Sequence, residues 1–389
     1  MISYGRQKID KSDIELVKKV LESDWLTQGP YLEKFEEALC KKFGSSFCSA
    51  VNNGTAALHL AGKALDWKKG DVIITTPLTF VSTANSIIFC GATPDFVDID
   101  PTFYTLDVEK LELKLKDYSN KGIKVKGVIA VDYSGQPCDW KALKLLSKKY
   151  KFKLINDNCH GLGTEFRGSS KYAVKYADIV TQSYHPVKHI TTGEGGSVLT
   201  NSAKLDKTVK MFRSHGIDSQ SLKKKEIKGS WYYQMKELGF NYRLTDFQAA
   251  LGISQLKKLD NFVASRRGQA SIYDKHLSKH EYLTIPQARK NSLHSYHLYP
   301  LKINFKKLKV NKVNFFRKMR AKNINLQVHY IPVHLQPYYQ KNYGFFEGQF
   351  PISEEFYSEQ VSIPIYPSLK KSEIKYVIDS LLSSLNLKK

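Results

Sequence analysis

At 389 residues with 42% hydrophobic content, the chain is long enough for about two domains with sizeable cores. The net charge of +23 admits nucleic acid, an anionic membrane or a small anionic substrate as partner. The basic residues are nevertheless spread over the whole chain, in short runs such as Lys223 to Lys225 and Lys306-Lys307-x-Lys309 without an Arg-rich arm, so they read as solvated faces rather than a nucleic-acid surface. No apolar run approaches the ~20 residues needed to span a bilayer, and the N-terminus lacks the apolar core of a signal peptide, so a cytoplasmic location is expected. Five cysteines without a Cys-x-x-Cys pair indicate neither a disulfide framework nor a zinc site, and no metal is expected.

The predicted elements alternate from about residue 10 to 255. Ile14, Val17, Val20 and Leu21 recur at helical spacing in a helix over 13–23, with Ser12 or Asp13 as its cap. Short strands follow at 47–51, 72–75, 125–131, 152–156 and 179–182, rich in Val, Ile, Phe or Ala and separated by helix-length segments such as 139–150. A further strand at 197–200 and a long helix over 244–259 complete the series. This pattern predicts an α/β fold, a mostly parallel sheet covered by helices, in a large domain over 1–255; a smaller α/β domain is expected over 256–389. Ligands of such sheets bind beyond the carboxyl ends of the strands, where the polar clusters of this chain fall.

Four of these clusters carry chemistry. Asn52-Asn-Gly-Thr-Ala-Ala follows a strand and opens a helix, so the N–H groups near Gly54, Thr55 and Ala56 suit a phosphate, although Asn53 as a plain cap explains the same residues. Phe80 stands where an aromatic face can stack on a ligand ring; in isolation it reads as core. Asp157 ends a strand and is followed by Asn-Cys-His, a carboxylate suited to a protonated ring nitrogen or to capping. His160 suits either the same ring or a structural bond. Lys188 sits between the strand ending at Ser183 and the glycines at 193, 195 and 196, which are expected to let backbone approach a planar ligand. Such an amine forms a Schiff base with an aldehyde, and Ser183 adds a hydroxyl for a phosphate. Each residue alone has a bland explanation. Together they meet the requirements of pyridoxal 5'-phosphate.

These motifs, with Ser183-Tyr-His-Pro-Val-Lys188, Gly193-Glu-Gly-Gly196 and Gly239-Phe-Asn-Tyr-Arg-Leu-Thr-Asp246, resemble the sugar-nucleotide aminotransferases of PLP fold type I, from about Tyr4 to Leu382. The nearest likeness is to the branch that serves pseudaminic acid synthesis, supported by Phe212-Arg-Ser-His-Gly216 and Gln327-Val-His-Tyr-Ile-Pro332. The resemblance implies Lys188 as catalytic residue and cofactor anchor, Asp157 at the pyridine nitrogen, Phe80 stacking, His160 beside the ring, and Thr55, Ala56 and Ser183 at the phosphate. It implies a homodimer in which Asn241 reaches the phosphate across the interface. Substrate positions implied are Tyr4, Asp24, Trp25, Leu26, Thr27, Gly54, His329 and Tyr330. The implied reaction moves an amine from glutamate to a UDP-linked 4-keto-6-deoxy-N-acetylhexosamine of L-altro type. Another nucleotide sugar, leading to bacillosamine, legionaminic acid or perosamine, is one alternative, and a non-catalytic regulatory protein that kept the fold is another. Related dehydratases carry histidine at the anchoring position, and the lysine here implies transamination.

Overall fold

The computed structural model describes residues 1–218, 229 and 231–388; the basic run at 223–225 lies outside the described residues. In chain order the first part comprises α1 (Lys11–Leu21), α2 (Pro30–Phe43), β1 (Phe47–Val51), α3 (Gly54–Ala64), β2 (Val72–Thr75), α4 (Val81–Phe89) and β3 (Thr93–Phe96). It continues with α5 (Val108–Asn120), β4 (Val125–Val131), α6 (Trp140–Tyr150), β5 (Lys153–Asp157), the short β6 (Glu165–Phe166), α7 (Ala173–Tyr176), β7 (Ile179–Ser183), β8 (Gly196–Thr200) and α8 (Ala203–Arg213). Seven strands form one sheet in the order β1-β8-β7-β5-β4-β2-β3, in which β8 alone runs against the others.

Side chains alternate across this sheet. Val128, Leu154 and Val180 face a core with Phe35, Trp140 and Phe262, while Ile129, Ile155 and Ile179 face another with Leu58, Leu60 and Phe212. Burial on both faces explains why these strands read as continuous apolar runs. Strand β3 was not among the predicted elements, because Thr-Pro-Asp-Phe lacks a β-branched run. It is tolerated at the sheet's edge, where a proline removes no ladder bond from a central position.

Two helix boundaries differ from expectation. Helix α1 starts two residues early, capped by Asp10, whose Oδ1 accepts from Ser12 N at 2.9 Å while Asp13 Oδ2 accepts from Asp10 N at 3.0 Å. The long helix divides into Asp246–Leu256 and Leu259–Leu277. Its Asp246 carboxylate turns outward to accept from Gly29 N at 2.8 Å and Tyr31 N at 2.8 Å, and so fixes the start of α2.

Beyond residue 270 a further core gathers Tyr273, Tyr299, Ile303, Phe315, Ile363 and Ile378 around an antiparallel sheet of Leu283–Thr284, Tyr299–Ile303 and Gln360–Ile363. The segment between these last two strands returns to the large sheet. Tyr339 and Phe350 pack on Phe96, and Phe356 lies 4.2 Å from Tyr104, ring centre to ring centre. Asp98 holds that return by accepting from the Ile352 and Ser353 N–H groups at 3.0 Å each. The chain start is tied to the same region, with Ile2 bridging Ile324 and Ile365 N donating to Tyr4 O at 3.0 Å. Among the described residues no helix is long and apolar enough to cross a membrane.

Candidate active site

The loops after β1, β2, β5 and β7 leave the carboxyl edge of the sheet and, with Val131 at the tip of β4, surround one cavity of about 940 Å³. Its floor includes Gly54, Thr55, Ala56, Asp157, Ser183 and Lys188, and its outer wall is the returning segment from Gln327 to Ile331, with Tyr4 beside it. Phe80 also lines it and is 53% exposed, which overturns its reading as a core side chain. It caps α4 with an extended backbone, so the ring stands at the cavity mouth, 5.7 Å from the Tyr330 ring.

Asp157 is the last residue of β5 and is buried. Its Oδ2 accepts from Thr83 Oγ1 at 2.7 Å and its Oδ1 from Cys159 N at 3.2 Å. Each oxygen keeps a free lone pair for a further donor. Lys188 lies on the loop between β7 and β8, where its N–H donates to His185 O at 2.9 Å. Its amine has no hydrogen-bond or ion-pair partner among the described residues, and burial holds it below the ordinary lysine value against the opposing pull of Cys159 and Asp157. Lowering the amine's value favours the unprotonated form that acts as a nucleophile and a proton acceptor.

His160 is fixed by two bonds. Ser134 N donates to Nδ1 at 3.2 Å, so the ring proton sits on Nε2, which donates to the Tyr330 hydroxyl oxygen at 3.1 Å. Burial pushes this imidazole well below its usual range, and the neighbouring Lys188 charge adds to the effect. The Tyr330 hydroxyl therefore keeps its own proton for a group in the cavity. His329, pushed down to about 3 by burial, bonds Ser362 Oγ through Nδ1 at 2.8 Å, and its ring lies 5.1 Å from that of Tyr4.

The β1–α3 turn forms a cradle. Asn53 caps α3 through Oδ1 to Ala56 N at 2.8 Å, so the plain-cap explanation holds for the Ala56 amide and leaves the Gly54 and Thr55 N–H groups without an intrahelical acceptor. A Cβ on Gly54 would come within 2.8 Å of Ser183 Cβ, so only glycine lets the turn close on Ser183. The three glycines after Lys188 correct the sequence reading, since none of them lines the cavity. Gly193 takes a positive φ of +80°, and the missing Cβ of Gly196 admits the Asn53 carbonyl, whose oxygen would lie 2.6 Å from it. Gly196 thus lets protein backbone, not a ligand, come close to β8.

Asn241, Asp24, Trp25, Leu26 and Thr27 are not among the residues lining this chain's cavity. All five are exposed; Asn241 bridges Ser214 and Thr27 bridges Thr245 through the backbone. Sequence reasoning missed Thr83, Tyr242, Gln327, His297, His185 and Glu194. Glu194 lies inside the glycine run, and Tyr242 and Gln327 lie within quoted motifs, so a signal existed for them. Thr83 and His297 reach the site only through packing, the latter by stacking 4.2 Å from His160.

Pyridoxal 5'-phosphate fits this set of groups. The cradle at Gly54, Thr55 and Ser183 offers N–H and hydroxyl donors to a phosphate, the unpartnered amine of Lys188 meets an aldehyde, and Asp157 offers a carboxylate to a ring nitrogen.

The geometry agrees with known proteins. The chain is 38% identical over 385 residues to the UDP-4-amino-4,6-dideoxy-N-acetyl-beta-L-altrosamine transaminase of Campylobacter jejuni, covering 99% of this chain and 98% of that one. It is 34% identical over 381 residues to the spore coat polysaccharide biosynthesis protein SpsC of Bacillus subtilis, covering 98% and 96%. The solved structure of Helicobacter pylori PseC, an aminotransferase involved in the biosynthesis of pseudoaminic acid, superposes with a TM-score of 0.88 at 31% identity over 99% of both chains. The model of the DegT/DnrJ/EryC1/StrS aminotransferase family matches residues 7–382. Matched over nearly its whole length, the chain belongs to that family of pyridoxal 5'-phosphate-dependent sugar aminotransferases.

Proposed function

We propose that the protein transfers an amine from glutamate to a UDP-linked 4-keto-6-deoxy-N-acetylhexosamine of L-altro type, in pseudaminic acid biosynthesis. The observation that carries this reading is the convergence of Lys188, Asp157 and the Gly54–Ser183 cradle in one cavity, in a chain 38% identical to an altrosamine transaminase over nearly its whole length. When bound, pyridoxal phosphate supplies an aldehyde for the amine and a ring that accepts electrons from the adjoining carbon. Gly54 N–H, Thr55 and Ser183 hold the phosphate, with Ala56 lining the cradle, and Phe80 covers the ring. The Asp157 carboxylate, held in place by Thr83, keeps the ring nitrogen protonated. Lys188 Nζ anchors the group and, once released, takes the proton from the donor's α-carbon and later delivers one to the sugar C4. Tyr330, its oxygen engaged by His160, donates its proton to the sugar, beside Tyr4 and His329.

We infer that the active unit is a cytoplasmic homodimer, divided in each chain into domains at 1–255 and 256–389. A second copy brings Asn241 and the segment Asp24 to Thr27 to the cavity, which supplies a use for five exposed residues absent from the chain's own site.

A second reading, amination of another nucleotide sugar, is supported by the comparable likeness to SpsC, a spore coat polysaccharide protein. Incubation of the purified enzyme with glutamate and each UDP- or GDP-linked 4-ketosugar, followed by product NMR, tests both. A 4-amino product from the L-altro precursor alone supports the first reading, and preference for a D-gluco or GDP-linked ketosugar overturns it.

A further inference from the structure

A second large cavity, about 910 Å³, opens at the opposite edge of the sheet. It lies against the amino ends of β4, β5 and β7, where Lys126, Lys153 and Asp178 occur, whereas Lys188 lies beyond their carboxyl ends. Six lysines from separate elements line it: Lys63, Lys126, Lys144, Lys153, Lys175 and Lys204. Three carboxylates oppose them. Asp178 pairs with Lys153 at 3.2 Å, and Asp66 is engaged by Lys68 from outside the cavity at 3.0 Å. Lys63, Lys144, Lys175 and Lys204 have no ion-pair partner among the described residues, although Lys63 lies 4.9 Å from the Phe212 ring centre.

A helix terminus adds positive potential to the same space. Ser202 caps α8 and lines the cavity with Lys204 and Leu205, so the N-terminus of an 11-residue helix faces it.

We propose that this cavity is a binding site for a compact polyphosphate anion, an inorganic polyphosphate or the phosphate chain of a nucleotide. Cations gathered from separate elements repel one another, and a chain of phosphates relieves that repulsion at several lysines at once. The shape selects against larger polyanions. A bilayer surface or a duplex needs an extended face, whereas this concavity falls within the ~300–1,000 Å³ range of small-molecule pockets. The site gives part of the +23 charge a specific use that the catalytic cavity does not provide.

Calorimetric titration of the cofactor-loaded enzyme with sodium tripolyphosphate tests the proposal, because the catalytic phosphate cradle is then already filled. One saturable site per chain is expected, weakening between about 50 and 300 mM salt as screened Coulomb attraction requires. Lys144→Gln/Lys204→Gln and, separately, Lys63→Gln/Lys175→Gln should each weaken binding at least about tenfold and leave transaminase turnover unchanged. A parallel ATP titration separates the sources, since equal affinity assigns the site to the phosphate chain and tighter binding assigns it to a nucleotide. Absence of saturable binding, or wild-type affinity in both double variants, overturns the proposal.

Discussion

Thr83 Oγ1 donates to Asp157 Oδ2 at 2.7 Å, joining helix α4 to the tip of β5 across 74 positions of sequence. Thr83 is itself held by Thr79, whose hydroxyl lies 2.8 Å away, so the loop that carries Phe80 and the carboxylate opposite it are set by one bond network. The positions of the Phe80 ring and the Asp157 carboxylate are thereby fixed relative to each other.

Thr83→Val keeps the shape and removes the donor. Leaving the buried carboxylate oxygen short of one bond costs about 1–3 kcal/mol. The expected result is a fall in kcat/KM of about tenfold with the fold intact, read by steady-state transamination and circular dichroism. Asp157→Asn removes the charge itself and should lower kcat at least about 100-fold while cofactor remains bound. Full activity in Asp157→Asn removes that residue from the mechanism.

Lys188→Ala leaves a cavity that still holds the phosphate but lacks the anchoring amine. The purified variant should lose the visible absorbance of lysine-bound cofactor and turn over below about one thousandth of the wild-type rate. A variant that transaminates normally contradicts the assignment of Lys188, whatever its colour.

Gly54→Ala tests the cradle. The added Cβ meets Ser183 Cβ at 2.8 Å, a distance that carbon atoms do not sustain, so the β1–α3 turn must open. Overpacking of this kind costs about 1–3 kcal/mol, and cofactor affinity should fall by about tenfold or more, measured by fluorescence titration of the apoenzyme. Unchanged affinity places the phosphate elsewhere.

Much of this site was legible because its parts are local. Strands at 47–51, 72–75 and 125–131 have the expected bounds, each a dense apolar or β-branched run closed by a polar tip. The tips then fall at one edge of the sheet for topological reasons, which brings Thr55, Phe80, Asp157, Ser183 and Lys188 to one cavity. Strand β3 was hidden by Pro94 and Asp95, and the Asp10 cap by two nearer candidates at 12 and 13. Thr83 and His297 carry no local signal, since a threonine inside an apolar helix and a histidine among tyrosines acquire their roles only from long-range packing. The glycines after Lys188 misled for the same reason, because the atom that Gly196 admits belongs to Asn53 and lies 143 positions away.

His160→Phe removes the bond to Tyr330 while keeping a ring beside His297. Tyr330 then loses the partner that orients its hydroxyl, so KM for the ketosugar should rise several-fold more than kcat falls. Because burial already keeps His160 neutral across the assay range, its removal should leave the acidic limb of the pH profile in place. A shift of that limb in the variant assigns the titration to His160 instead.

The lysine amine also predicts how stability depends on pH. Burial lowers the folded-state value of Lys188 below its ordinary 10.5, so between these two values the unfolded apoenzyme binds the extra proton and the folded one does not. Stability therefore rises with pH across that window. The penalty is absent above 10.5, grows as pH falls toward the folded value, and is constant below it. Lys188→Met, which is isosteric in length and never charged, escapes the penalty. Urea denaturation of the two apoenzymes should show the variant more stable at pH 7, with the difference shrinking as the pH approaches 10. An equal difference at both pH values shows that the amine is as solvated in the folded chain as in the unfolded one, and removes burial as the source of its reactivity.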